Sequence, residues 1–441
     1  MKIRQYQSWG GYPKAVHEVF RFRWEDDRPP FERKSVLPFG NGRSYGDSCL
    51  NNGGILLDAR GLDRLISFDP VTGFITCEAG VLLSDLLEWL VPMGWFLPVT
   101  PGTKFVTVGG AIANDVHGKN HHRAGTFGAH VDQLALLRSD GRVYTCSPQK
   151  NQTLFGATIG GLGLTGLILW ATIRMRRINN SFMDMETVRF GNLDEFLKLS
   201  DESDRDYEYT VAWVDCLAKK ESIGRGLYMR GNHASPFQDI PSKKERHMSI
   251  PLTPPFSLVN PTSLHLFNTL YYRKQWQRRR RRIGHYGPFF YPLDKIFHWN
   301  RMYGSRGFLQ YQCVVPHSCG REAILEILSR IAASGIGSFL AVLKIFGSIP
   351  SPGLLSFPRP GITLALDFPI QGQKTFSFLN NLDEIVAQAS GAVYPAKDAR
   401  MSGESFQKFF PQWAELEKSR DPAFSSSFWR RVTGEIGCVK F

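Results

Sequence analysis

Between Pro98 and Val131 the chain reads PVTPGTKFVTVGGAIANDVHGKNHHRAGTFGAHV, a ribbon holding six glycines and four histidines with few charges. Glycine allows close backbone approach and positive φ, and packing alone does not call for that density. The stretch reads as a wall built against a large ligand. A second segment of the same character, PFGNGRSYGDSCLN from Pro38 to Asn51, sets Gly40, Asn41, Gly42, Arg43, Ser44 and Tyr45 in succession. Successive backbone N–H groups beside Arg43 and Ser44 form a concavity suited to phosphate. A third, Gly156 to Ile173, reads GATIGGLGLTGLILWATI. Three such patches separated by strand-like sequence suggest one extended cofactor rather than a single nucleotide. None is the G-x-G-x-x-G fingerprint after a strand, and no Lys-Ser or Lys-Thr completes a P-loop. GNGRSYG on its own fits a surface turn equally well.

Taken in order, GNGRSYGD, then TPGTKFVTVGGAIANDVHGKNHH, then GLGLTG resemble the FAD-linked oxidases of the vanillyl-alcohol-oxidase (PCMH) type, most closely the oxidase subunits of decaprenylphosphoryl-β-D-ribose 2-epimerases. Matching stretches continue at Val211 to Asp215 (VAWVD), Arg230 to Ala234 (RGNHA), Leu309 to Pro316 (LQYQCVVP), Val342 to Gly347 (VLKIFG) and Tyr394 to Arg400 (YPAKDAR). The resemblance implies a two-domain α+β flavoprotein, with an FAD domain and an antiparallel-sheet substrate domain. It implies cofactor contacts at Gly40, Asn41, Gly42, Arg43, Ser44 and Tyr45, at Gly102, Thr107, Val108, Gly109, Gly110 and Asn114, and at His117, Gly118 and His122. Gly163, Ile168 and Tyr394 complete that set.

With 441 residues the chain is long enough for two or three domains. Strand-like runs at Gly54 to Asp58, Phe74 to Glu78 and Leu164 to Ile173 alternate with a helical pattern at Leu82 to Val91. After Arg177 a sheet-like section runs through Tyr207 to Cys216, Phe308 to Val315 and Ile362 to Phe368, with amphipathic helices at Arg321 to Ala333 and Lys374 to Ala389. The expected division is an FAD domain over 1–177, a substrate domain over 178–391, and a return to the first domain over 392–441. Asn151 to Ile173 is uncharged and long enough to span a membrane, but its glycines favour a buried strand pair.

Seven scattered cysteines, Cys438 among them and none in a CxxC pair, argue against a zinc site or a disulfide framework and for a reducing compartment. The first thirty residues hold no signal-peptide core, so a cytoplasmic or membrane-peripheral location is expected. His117, Lys119, His121 and His122 suggest a metal site by spacing, but no Cys or paired acid supports one and no metal is expected.

The net charge of +13 is concentrated in one place. Between His233 and Arg306 stand thirteen Lys or Arg against Asp239, Glu245 and Asp294, and the run Arg278 to Arg282 follows a Pro-interrupted apolar stretch, Pro251 to Tyr272. A flexible basic and apolar insertion of this kind suits peripheral contact with anionic lipid. A solvated loop without a partner and a nucleic-acid contact are the competing readings, and nucleic acid is not the expected partner.

Oxidation of an alcohol by a flavin needs a hydride acceptor and a base for the hydroxyl proton. By resemblance Lys397 lies at the flavin face, either as a base whose pKa burial lowers or as a cation stabilising reduced flavin. His117 and Tyr45 are the further catalytic candidates. Tyr311, Gln312, Lys344 and Lys397 match positions lining the substrate pocket, with donors suited to sugar hydroxyls and phosphate. Arg43 stands where covalently flavinylated relatives carry histidine, and a guanidinium does not alkylate flavin, so FAD is expected to be non-covalent. The implied reaction is oxidation of the 2′-hydroxyl of a polyprenylphosphoryl ribose to the 2-keto sugar, with a separate NADH-dependent short-chain reductase completing epimerisation to the arabinose form. The competing readings are a soluble sugar, aldonolactone or alditol oxidase using oxygen, and a non-catalytic basic nucleic-acid-binding protein.

Overall fold

Two sheets of different character dominate the computed structural model, which describes residues 6–24, 27–235 and 248–434. Cys438, the end of the 392–441 segment and part of the basic insertion, residues 236–247, lie outside the described residues.

The first sheet has five strands in the order Leu65–Phe68, Phe74–Glu78, Leu167–Arg174, Val131–Leu137, Val143–Cys146, with antiparallel neighbours throughout. Its central strands are covered on both faces, which is why they read as continuous apolar runs rather than alternating ones. From Val131–Leu137, Leu134 and Leu136 enter a cluster with helix Leu83–Leu90, while Ala135 and Leu137 enter another with Phe22, Val36 and Ile55. That helix buries Leu83, Leu86, Leu87 and Leu90, the helical spacing of its leucines. Beside it a three-stranded parallel sheet, Glu18–Arg21, Ile55–Asp58 and Val36–Phe39, releases the GNGRSYG loop from the end of its last strand.

The second sheet is antiparallel, with eight strands in the order Arg279–His285, Phe182–Phe190, Gly226–His233, Tyr209–Val214, Val342–Phe346, Gly361–Pro369, Phe308–Val315, Ala392–Val393. Its faces are chemically distinct. Leu309, Tyr311 and Cys313 of one strand and Leu364, Leu366 and Phe368 of its neighbour pack with helices His317–Ser334 and Gln373–Gln388. The alternate residues Gln310, Gln312, Thr363 and Asp367, joined by Lys344, occupy the opposite face. After the short strand Ala392–Val393 the chain returns to the beginning. Val36 exchanges backbone hydrogen bonds with Ala423 and Ser425, and Arg431 reaches Asp47 at 2.7 Å.

Two local expectations are corrected. The uncharged run Asn151 to Ile173 is not a strand pair: it forms helix Gln152–Thr158, a glycine turn, and one strand of the first sheet. Gly160 and Gly163 take φ of +70° and +77° in that turn, where only glycine is unstrained. The basic insertion is likewise built of ordered elements from residue 248 onward. Asn260 accepts the N–H groups of Thr262 and Ser263, so Pro261 starts helix Pro261–Lys274 rather than interrupting it. The arginine run then supplies the outermost strand of the eight-stranded sheet.

Candidate active site

The loop after Phe39 is pressed between distant parts of the chain. Gly40 admits no Cβ, since one would stand 2.4 Å from Thr107 Oγ1, and Gly42 has φ +58°. The Asn41 side chain donates to Phe105 O at 2.8 Å, the Ser44 carbonyl accepts from Trp9 N–H, and Tyr45 N–H donates to Ala396 O at 2.9 Å. The Arg43 guanidinium lies over Trp9 at 4.2 Å, and its buried Nε has no hydrogen-bond partner among the described residues. Among the described residues, none accepts a bond from the backbone N–H groups of Asn41, Gly42, Arg43 or Ser44.

The second glycine-rich segment forms the facing wall. Thr107 caps helix Val108–Ala113 by accepting Gly110 N–H at 3.1 Å, and Gly109 N–H donates to Ala79 O. Asn114 donates back to Gly110 O and accepts the Tyr394 hydroxyl on its carbonyl, both at 2.8 Å. Gly102 opens onto free space, whereas a Cβ on Gly118 would meet Thr100 O at 2.9 Å. Asp115 is committed to structure: it accepts Gly128 N–H and the hydroxyls of Ser351 and Ser356, tying the wall to residues 351–356.

His117 meets the eight-stranded sheet, and its hydrogen bonds fix its tautomer. The Thr363 hydroxyl donates to Cys313 O at 2.8 Å, so its oxygen receives one N–H of Gln312. The other N–H of Gln312 goes to His117 Nε2 at 3.0 Å, which leaves the ring proton on Nδ1. That Nδ1 is buried without a partner among the described residues, and the ring packs on Phe346, Phe357 and Tyr394. Burial first, then the charges of Lys344, His121 and Lys397, keep the imidazole neutral by holding its pKa well below the usual value. His117 is thus a fixed neutral donor.

The charges of Lys344 and Lys397 act on it, and Lys119 in turn feels that of Lys344. Lys397 Nζ sits 3.8 Å from the centre of the Tyr45 ring. Burial lowers its pKa to about 7, Asp367 opposes that and Lys344 adds to it. Burial takes Lys344 to about 8. Lys119, which donates to Phe289 O, is brought to about 7 by burial and by Lys344. The Tyr45 phenol keeps its proton, because burial and then the Asp367 charge raise its pKa far above the ordinary value. Asp367 itself is pushed up to about 7 by burial.

The structure therefore brings Tyr45, His117, Gln312, Lys344 and Lys397 together and leaves other expected residues elsewhere. Tyr311 is a correction: strand alternation turns it into the helix-covered core, 2% exposed, with the Arg400 guanidinium 5.7 Å from its ring. His122 is another, because its Nε2 pairs with Tyr207 O and it lines a cavity with Asp201, Asp204 and His317. Its neighbour His121 faces the site instead, 4.5 Å from the Phe346 ring. Ile168 lies within the apolar core of the first sheet, and Gly163 stands against Pro38. Gln310 and Asp367 were not singled out by sequence, and Lys119 was read only within the histidine spacing. The period of two along LQYQCVVP pairs Gln310 with Gln312 and was the available signal.

Residues 30–147 match the FAD binding domain family. The chain is 39% identical to decaprenylphosphoryl-beta-D-ribose oxidase of Mycolicibacterium smegmatis over 415 residues, 90% of this chain and 89% of that protein. It belongs to the FAD-linked oxidases. An uncharacterised Streptomyces coelicolor protein is 34% identical over 80% of this chain and 100% of its own length. Mouse L-gulonolactone oxidase is 31% identical over 38% of this chain and 39% of its own.

The cofactor of this FAD-dependent oxidoreductase is FAD, and the residues present fit it. Four unpartnered amides beside Arg43 and Ser44 suit a diphosphate, and the glycines of both walls allow backbone contact. The unpartnered Nδ1–H of His117 supplies a neutral donor where the two walls meet the sheet. The two-domain α+β fold of these oxidases thus places charged and amide side chains of one sheet face against the glycine-rich segments.

Proposed function

We propose that this FAD-dependent oxidase acts on the 2′-hydroxyl of a polyprenylphosphoryl ribose and yields the 2-keto sugar, as the first half of an epimerisation to the arabinose form. The observation that carries this reading is the match along nine-tenths of the chain to an oxidase named for that lipid-linked ribose, whereas the lactone oxidase matches over 38%.

Bound FAD would supply the acceptor for the hydride leaving the carbinol carbon. Tyr45, Arg43, His117 and Lys397 would hold it. Gln310 and Gln312 offer amides for sugar hydroxyls from one strand, and Lys344 and Lys119 supply positive charge for a phosphodiester. Lys397 is the side chain poised to exchange a proton near neutral pH, since His117 is committed as a donor and Tyr45 retains its proton. Enclosure of these groups strengthens each interaction by excluding water.

The lipid part of the substrate finds a counterpart outside the site. Leu266 and Leu270 of helix Pro261–Lys274, with Leu252, Phe256 and Trp276, are exposed in the segment that leads into the arginine run, and this combination of apolar and basic surface supports peripheral contact with anionic membrane. Among the described residues no helix is long and apolar enough to cross a membrane. The keto product calls for a separate NADH-dependent short-chain reductase. The reading is tested by turnover of a short-chain polyprenylphosphoryl ribose with an artificial electron acceptor, followed by borodeuteride reduction. Deuterium at C2 of mixed ribose and arabinose products is expected, and label at C1 or no label contradicts it.

A further inference from the structure

We propose that Asp367 is a positioning residue for the oxidation, its carboxylate holding the proton on Lys397 Nζ across the site. The proposal rests on the reading above in taking Lys397 as the proton-exchanging group.

Asp367 is 1% exposed on the polar face of the eight-stranded sheet, in register with Gln310 of the neighbouring strand. Oδ1 accepts Gln310 Nε2–H at 2.7 Å, and Oδ2 accepts the Tyr303 hydroxyl at 3.3 Å. Both donors are neutral. A carboxylate inside a protein with only neutral donors carries a desolvation cost that a nearby cation must offset if it is to stay ionised. Lys397 is the cation whose charge acts on it.

The groups facing the pair come from five places in the chain. Tyr303 arrives from turn Trp299–Tyr303, Gln310 from the adjoining strand, Tyr45 from the loop after Phe39, Lys344 from strand Val342–Phe346, and His117 from the glycine-rich wall. The Tyr45 ring beneath the Lys397 ammonium stands edge-on to Phe308 at 5.6 Å, and Phe308 stacks at 4.3 Å on Tyr303, whose hydroxyl the carboxylate accepts, so the lysine and Asp367 border one aromatic cluster. His117 is neutral and Tyr45 retains its proton. Two charges thus compete over Lys397: Lys344 disfavours its ammonium and Asp367 favours it. A lysine between another lysine and a carboxylate has its proton governed by whichever is removed.

The test uses FAD-loaded protein and competitive acetylation by acetic anhydride at a series of pH values, with the Lys397 peptide quantified by mass spectrometry. In Asp367→Asn the labelling midpoint of Lys397 is expected to fall by about one to three pH units. Asp367→Glu restores it. The acidic limb of the rate profile with a short-chain polyprenylphosphoryl ribose moves the same way. Should Asp367→Asn not fold, Tyr303→Phe removes one donor from the carboxylate and moves the midpoint down by a smaller step. An unmoved midpoint in the folded variant overturns the proposal. The labelling arm needs no substrate, so that result is distinct from failure of the lipid-linked ribose as a substrate.

Discussion

Lys397 stands where three segments far apart in sequence meet: the loop carrying Tyr45, the wall carrying His117 and the sheet face carrying Lys344 and Asp367. Replacing it by Met is expected to lower the rate of flavin reduction by a factor of about 10² to 10³, the range typical for loss of one preorganised electrostatic group, as read by stopped-flow bleaching. Tyr311 makes the opposite prediction. Its ring is buried on the far side of the strand with the hydroxyl toward Asp383, so Tyr311→Phe is expected to leave KM unchanged in steady-state turnover. Arg43 predicts that acid precipitation releases all of the flavin into the supernatant, and yellow colour in the pellet contradicts that. Lys397 and His117 were legible because each lies in a local motif. Asp367 was not, since nothing in ITLALDF marks one carboxylate as facing a lysine thirty residues further on.

At the scale of elements, the site depends on the contact between the GNGRSYG loop and residues 396–398. A Cβ on Gly46 would lie 1.6 Å from Asp398 O, a backbone atom that side-chain rotation cannot relieve. Gly46→Ala is therefore expected to part the two segments and to lower the flavin-to-protein ratio of the purified enzyme. Helix Pro261–Lys274 presents a different case. Its Asn268 donates to Asp215 at 3.0 Å and the following strand edges the main sheet, so deleting the region would dismantle part of the fold. Surface substitution is the cleaner probe: Leu266→Gln, Leu270→Gln and Trp276→Gln together are expected to abolish cosedimentation with phosphatidylglycerol vesicles, and retained binding would contradict the membrane contact. Three strands of the eight-stranded sheet followed from sequence, Tyr209–Val214, Gly361–Pro369 and, to the residue, Phe308–Val315. The insertion was harder to read, because proline at a helix start and a strand made of arginines both mimic loops.

For the molecule as a whole, several lysines held partly neutral inside a chain of net charge +13 couple stability to pH. Lys344 has a folded pKa of about 8, below the unfolded value of about 10.4. Between those values the unfolded chain binds more protons, so this group makes stability rise with pH across that window. Lys344→Met is expected to flatten the rise and to stabilise the protein at pH 7 in thermal melts while weakening the response to phosphorylated substrate. The division into a cofactor-binding wall and a polar sheet face is what the account asks of the whole structure. Anaerobic mixing of the oxidised flavoenzyme with a short-chain polyprenylphosphoryl ribose, beside ribose, arabinose and gulonolactone, tests it most directly. Loss of flavin absorbance with the lipid-linked sugar alone is the predicted result, and bleaching by the free sugars or the lactone but not by the lipid phosphate would contradict it.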